Sequence, residues 1–170
     1  MPTPIDGTVE QNGDLELTSP AFKDEERMPD SVGLANENES PPLEIDGVPD
    51  DAAALVLAMD DPEAVPVAGH TWEHWLVFNI SPDLSKIPAG WEPEDAVVGY
   101  NDFVDTGWGG PSPPEGAHRY HFKLFAIADE LDYGPSIRKT RVGSAMVMDS
   151  EILASTQLVG VFDAEQGTVF

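Results

Sequence analysis

The chain contains no cysteine. That removes disulfides, thiolate metal sites and a cysteine nucleophile. It is also poor in positive charge: 8 Lys and Arg stand against 32 Asp and Glu, a formal net charge of -24 over 170 residues. Phosphate backbones need a basic footprint, so this balance argues against nucleic-acid binding. It argues equally against docking on an anionic membrane. Long apolar runs are missing as well. None approaches the roughly 20 residues that span a bilayer. The opening stretch MPTPIDGTVEQNGDLE has neither a basic n-region nor an apolar h-region. The expectation is a cytoplasmic protein with no membrane insertion.

What is present is enough apolar residue, 41% of the chain, to build one core. A single domain over residues 1–170 is expected, with residues 1–13 as a loose N-terminal arm. The acids recur along the whole chain rather than in one tail, and lysines number only four. One reading is an acidic face for a basic partner. The favoured one is a dispersed, hydrating surface that repels its neighbours in dilute salt and is screened in concentrated salt. In this respect the sequence resembles proteins of extreme halophiles.

Period-two alternation marks the strands. Leu15–Ser19 is short, alternating and ended by Pro20, an edge strand by pattern. Lys23–Pro42 is polar, with Met28, Val32 and Leu34 as its few apolar anchors, and reads as an ordered surface loop with room for one short strand. Leu43–Ile45 is a further short strand. Ala53–Met59 is apolar on both faces. So is Trp72–Ile80, where Trp72, His74, Leu76, Phe78 and Ile80 alternate against Glu73, Trp75, Val77 and Asn79. Both read as central strands. Ala96–Tyr100 is a brief strand, and Asn101–Gly116 is too rich in Gly and Pro to pack as an element. His118–Ile127 is the third clear strand. Ser136–Thr156 is the one good helix candidate, with a break signalled at Asp149–Ser150, and Leu158–Phe162 is a last strand. Strands and helices do not alternate regularly. The fold class is therefore mainly β, an antiparallel β-sandwich with one or two short C-terminal helices.

The chemistry gathers around one loop. Pro62 and Pro66 stiffen an acidic turn that carries Asp60, Asp61 and Glu63 between the first two central strands. His74 lies near the start of the second strand. His118 and Tyr120 open the third, directly after the glycine–proline loop. If these strands are neighbours, Asp61, His74, His118 and Tyr120 line one cavity at the end of the sheet. There His74 and His118 would donate to an anion, Asp61 would orient one of them, and Tyr120 would contribute its hydroxyl or ring. Gly109 and Gly110 would let a ligand approach closely. Pro111, Pro113 and Pro114 would stiffen the rim, and Trp72, Trp75 or Trp108 would supply an apolar wall. The natural ligand is a small anion such as phosphate or carboxylate, and no cofactor is called for.

Blander readings stay open. His74 and His121 serve equally as hydrogen-bonded structural histidines, and Asp61 as a turn former before Pro62. A structural metal through His70, His74, His118 and an Asp is a further alternative. Hydrolysis has no G-x-S-x-G to rest on, and Ser112 sits between prolines. Neither a P-loop nor a dinucleotide fingerprint is present. The one basic cluster, Arg138, Lys139 and Arg141, serves a partner or offsets nearby acids.

Asp61-Pro62-Glu63-Ala64 with Pro66, followed by His74-Trp75, resembles the first signature of the phosphatidylethanolamine-binding protein family. Gly110-Pro111-Ser112-Pro113-Pro114-Glu115-Gly116-Ala117-His118-Arg119-Tyr120 resembles its second. Leu17–Phe22, Ser40–Leu43, Asn101-Asp102-Phe103 and Ala154–Phe162 look like the bacterial and archaeal, Raf kinase inhibitor-like branch. The resemblance implies a β-sandwich with an anion pocket formed here by Asp61, His74, Gly110, Pro113, His118 and Tyr120, with Glu63, Trp72 and Trp108 at the rim. It also implies binding of phosphate-type headgroups, regulation of a kinase or protease partner in some members, and homodimers in many prokaryotic ones. Two features depart from the pattern. Glu63 is one methylene longer than the usual acid, and Val65 is inserted before Pro66, which bears on ligand size. The function expected is small-anion binding without catalysis; a protein-interaction adaptor and a small-molecule hydrolase are the alternatives.

Overall fold

The computed structural model describes residues 2–167. In chain order its strands are β1 (Glu16–Thr18), β2 (Glu26–Arg27), β3 (Leu43–Asp46), β4 (Ala54–Asp61), β5 (Trp72–Ile80), β6 (Lys86–Ile87), β7 (Val97–Val98), β8 (Ala117–Ile127) and β9 (Ile152–Asp163). Two helices join them, the single turn α1 (Val65–Ala68) and α2 (Lys139–Met148). The strands form a three-stranded sheet, β1-β3-β6, and a six-stranded sheet, β2-β9-β8-β4-β5-β7. Pairing is antiparallel except between β2 and β9.

The apolar pattern of β4 explains its central place. All eight of its residues are buried, because the large sheet is covered on both sides. Leu55, Leu57 and Met59 pack toward the small sheet, among Leu17, Leu43 and Ile45. Ala54, Val56 and Ala58 pack the other way, against Val142 and Met146 of α2 and against Ile5 and Val9 of the N-terminal segment. The sandwich therefore has a third, partial layer.

That layer overturns the expectation of a loose arm. Ile5 is fully buried, and its carbonyl accepts a hydrogen bond from the Lys123 ammonium at 2.7 Å. Thr3 lies so close to α2 that a Cβ on Gly143 would sit 2.2 Å from its hydroxyl. Apolar residues spaced irregularly through a polar segment carry no period, so their burial depends on the surface they meet.

The C-terminal helix is shorter than its sequence pattern predicts. It ends at Met148, and Ile152–Thr156, expected to be helical, instead begins β9. The eleven-residue β8 offers a partner along its length, from Ala117 opposite Asp163 to Ile127 opposite Ile152. That non-local ladder decides in favour of a stretch rich in β-branched residues becoming strand.

Candidate functional site

Side chains on β4 alternate, so the adjacent acids at its end, Asp60 and Asp61, point to opposite faces. Asp60 turns toward the helix-covered side and meets the Lys123 ammonium at 2.6 Å. Asp61 turns toward the other side. Its Oδ1 accepts the Glu63 N–H at 2.9 Å, which caps the 3-10 turn Pro62–Ala64, and its Oδ2 accepts the His118 Nδ1–H at 2.7 Å. Tyr120, two residues along β8 from His118, lies on the same face and within the field of that carboxylate. Burial, and then the charge of Asp61, push its phenol above the ordinary range, so it remains a neutral donor.

The strand that carries His74 is irregular at that residue. Met59 pairs with Trp75 and Asp60 with Glu73, so His74 is an extra residue in β5. A bulge of this kind turns two consecutive side chains to one face. Trp75 and Val77 accordingly pack with Met59, while Leu76 and Phe78 pack on the opposite side. The alternation expected for Trp72–Ile80 places Trp72 and His74 on the face of Asp61 and fails after His74, where Trp75 turns to the same side. The His74 ring stands edge-on to Tyr120 and to Phe103, with centroids at 5.2 and 5.5 Å.

The electrostatic state of His74 follows from one contact. Its Nδ1 lies 2.6 Å from the Gly109 carbonyl, which can only accept, so Nδ1 carries the proton. Burial lowers its pKa to about 4, although the bond to Gly109 works the other way. At neutral pH the ring is uncharged and Nε2 is a lone pair. The donor role expected of His74 toward an anion does not fit this tautomer. In this state Nε2 accepts, and a ligand hydroxyl is its natural partner.

Asp61, Trp72, His74, Pro113, His118 and Tyr120 line a cavity of about 230 Å³. Ala64, Val67 and Ala68 from the α1 turn complete the wall, with Phe103, Ser112 and Pro114 from the long loop before β8. Of these six, Pro114 was expected at the rim, and the other five were not assigned to the cavity from the sequence. Phe103 had a usable signal, since Asn101-Asp102-Phe103 stood out in the sequence, but nothing tied it to the cavity. The Val65 insertion begins α1, so it builds part of the wall. Glu63, expected at the rim, is exposed beside Asp61 and His118 but does not line the cavity; its Oε2 accepts the Arg119 N–H at 2.6 Å. Trp72 stacks on His70, and its indole N–H is buried without a partner.

Two expected members are placed elsewhere. Gly110 does not line the cavity. Its N–H donates to Asn38, and a Cβ there would lie 2.1 Å from the Val32 carbonyl. Gly109 is similarly crowded by the Phe103 ring. Both glycines permit close packing of the chain on itself rather than close approach of a ligand. Trp108, expected at the rim, is half-buried on the far side of the loop. It stacks on Phe122 and donates its indole N–H to Val32.

The metal reading through His70 and His74 is not assembled, because His70 is exposed and turned toward Asp102. Among the described residues, Asp61, Glu63 and His118 bring ligand-type atoms within 4.8 Å of one another. Each residue is already engaged: Asp61 with Glu63 N–H and His118, Glu63 with Arg119 N–H. A cation there would compete with the bonds that shape the turn. The basic cluster offsets local acids. Arg138 pairs with Asp102 at 3.2 Å, and Lys139 with Asp6 at 2.7 Å and Glu73 at 2.6 Å.

A mainly β two-sheet fold, with a histidine–aspartate pair in an apolar-walled cavity at the end of its large sheet, defines a small-ligand-binding sandwich. The chain belongs to the phosphatidylethanolamine-binding protein family, which it matches over residues 18–163. It is 40% identical to a UPF0098 protein of Methanothermobacter thermautotrophicus over 153 residues, covering 87% of this chain and 98% of the relative. A UPF0098 protein of Chlamydia trachomatis is 33% identical, with 89% and 100% covered. Among solved structures, the phosphatidylethanolamine-binding protein homologue CT736 of Chlamydia trachomatis superimposes with a TM-score of 0.83 at 31% identity, covering 89% of this chain and 99% of that one. E. coli YbcL gives 0.79 at 27% identity, covering 88% and 98%. The family therefore spans bacteria and archaea, and no helix among the described residues is long and apolar enough to cross a membrane.

Proposed function

We propose that the cavity binds a small anion of phosphate-monoester or carboxylate type, with its charged end at His118 and its remaining atoms against Trp72, Phe103 and Pro113. The observation that carries this reading is the 2.7 Å His118–Asp61 pair inside a largely apolar cavity. Asp61 accepts from Glu63 and His118, so it positions these groups rather than meeting the ligand. With Nδ1–H held by Asp61, His118 leaves Nε2 as the ring atom for the ligand, where an N–H would donate to an oxyanion. His74, neutral beside it, accepts from an acid hydroxyl. The pair thus suits an anion that still carries one proton.

The test is an NMR titration of the two imidazoles with inorganic phosphate and then with phosphoethanolamine. Saturable shifts on both rings are expected. His118→Ala should weaken binding by about 1.5–3 kcal/mol, the loss of a charge-assisted hydrogen bond. Unshifted rings at millimolar ligand would refute the reading. A second reading is an adaptor whose docking on a kinase or protease is set by the state of the cavity. The exposed Val65, Val67 and Val104 favour it, since they place apolar surface on α1 and beside Phe103, two parts of the cavity wall. Co-purification of one stoichiometric protein partner is its signature.

A further inference from the structure

A second cavity, of about 500 Å³, lies on the opposite side of the long loop before β8, with Trp75, Trp91 and Trp108 in its wall and Glu37, Glu39 and Glu92 among its polar lining. We propose that it is a binding site for a small alkylated organic cation of the quaternary-ammonium class. The proposal is independent of the anion cavity.

The indoles are held in place before any ligand arrives. Trp75 is 1% exposed and forms the floor. The planes of Trp91 and Trp108 stand at 86° and 89° to it, with centroids at 6.3 and 5.2 Å. Both are half-buried, so each leaves part of its ring accessible. Backbone bonds fix the Trp91 wall: Ser40 Oγ accepts the Trp91 N–H at 3.2 Å, and the Ser40 carbonyl accepts the Gly90 N–H at 2.9 Å. Trp108 is anchored by Phe122 behind it and by its bond to Val32. With that indole N–H spent, Trp108 offers its π surface.

The charge has the matching sign. Glu37, Glu39 and Glu92 are exposed, and among the described residues none makes an ion pair. The paired arginines and lysines, Arg27, Arg119, Lys123, Arg138 and Lys139, serve other acids. A negative rim over the accessible parts of Trp91 and Trp108 attracts a cation through both the Coulomb field and the ring quadrupoles. The walls also choose among cations. A hard metal ion needs an inner shell of oxygens, which indoles do not provide. A primary ammonium is strongly hydrated and loses that water on entering. An alkylated ammonium gives up little hydration, and its methyl groups pack on the rings. A carboxylate on the same molecule would meet the glutamates, so the ligand is cationic rather than zwitterionic.

The experiment uses the full chain at constant ionic strength and follows the indole N–H resonances of Trp75, Trp91 and Trp108 while tetramethylammonium chloride is added. Saturable shifts of Trp91 and Trp108 are expected, with ammonium chloride producing none. Trp91→Leu should weaken binding about tenfold or more, the loss of one good cation–π wall. Replacing Glu37, Glu39 and Glu92 by Gln leaves the core untouched and should weaken binding several-fold, which keeps the test informative if the Trp91 variant unfolds. Absent shifts, an equal response to ammonium, or unchanged affinity in the glutamine variant would overturn the assignment. So would much tighter binding of a trimethyllysine peptide than of tetramethylammonium, which would place the cation on a partner chain.

Discussion

Glu73 should make the protein less stable as pH rises through neutrality, and glutamine should abolish the effect. The residue is 7% exposed and lies across the strand pair from Asp60. Burial, and then the charge of Asp60, raise its pKa from the ordinary 4.5 to about 8. Lys139 lies 2.6 Å from Oε1, yet neither carboxyl oxygen has an aligned hydrogen bond, so the lysine supplies field without satisfying the group. Lys139 is held in its charged form by Glu73 first and then by Asp6, so it is shared between two carboxyl groups. The native state thus keeps a proton on Glu73 that the unfolded chain releases above pH 4.5. Stability from this group is complete below 4.5 and is lost as pH climbs toward 8, at about 1.4 kcal/mol per unit. His74 acts in the opposite sense. Its pKa falls from 6.5 to about 4, so its contribution is complete above 6.5 and is lost on acidification toward 4. Between 4.5 and 6.5 the two slopes oppose each other. From 6.5 to 8 Glu73 acts without that opposition, and the expected loss is about 2 kcal/mol. The assay is urea unfolding at fixed high salt and several pH values in that window, comparing the parent protein with Glu73→Gln. The decline should appear in the parent and vanish in the variant, which should be the more stable of the two at pH 8. Parallel curves would refute the reasoning.

Other consequences follow from single contacts. Gly110→Ala places a methyl 2.1 Å from one backbone atom and 2.8 Å from another, neither of which yields easily; chemical denaturation should show a loss of about 2–3 kcal/mol with the His118–Asp61 pair intact. Ile5→Ala should cost about 2–4 kcal/mol, and an effect below about half a kilocalorie would show that the N-terminal segment is not part of the core. The charge of -24 should make the fold salt-dependent; in molar KCl, where the screening length is about 3 Å, the thermal transition should be sharper and higher than in dilute buffer.

Much of the site was legible because its chemistry is local. Pro62 and Pro66 announce a fixed turn, and the spacing of His118 and Tyr120 places both on one face of β8 whatever surrounds it. The central strands were equally plain, since β4 and β5 carry apolar residues on both faces. What could not be read depends on partners distant in sequence. The bulge at His74 exists only relative to the register of β4, so alternation along β5 misplaces Trp75 and Val77. The tautomer of His74 is set by a carbonyl 35 residues away. Ile152–Thr156 becomes strand because β8 is long enough to hold it. Gly110 looks like a ligand-contact glycine until Val32, far earlier in the chain, proves to be what it must clear.

The two adjacent acids at the end of β4 explain how the sheet supports a buried polar site. Two neighbouring carboxylates on one face would repel, and one would protonate. Strand alternation sends them into different layers instead, and each finds its own donors. Asp60 takes Lys123, which also clasps the N-terminal segment through Ile5. Asp61 takes the Glu63 N–H and His118. One corner of the sheet therefore ties the outer layer to the inner face of the cavity. The three strands that carry Asp61, His74, His118 and Tyr120 are hydrogen-bonded neighbours buried in the large sheet, so this part of the cavity is stiff. Any adjustment to ligands of different size falls to α1 and the Asn101–Gly116 loop. These carry Val67, Phe103, Ser112 and Pro114, while Gly109 of the same loop holds His74 through two backbone groups. A ligand that moves the loop must also move the acceptor of the His74 proton, so occupancy of the cavity and the protonation of that ring are mechanically linked.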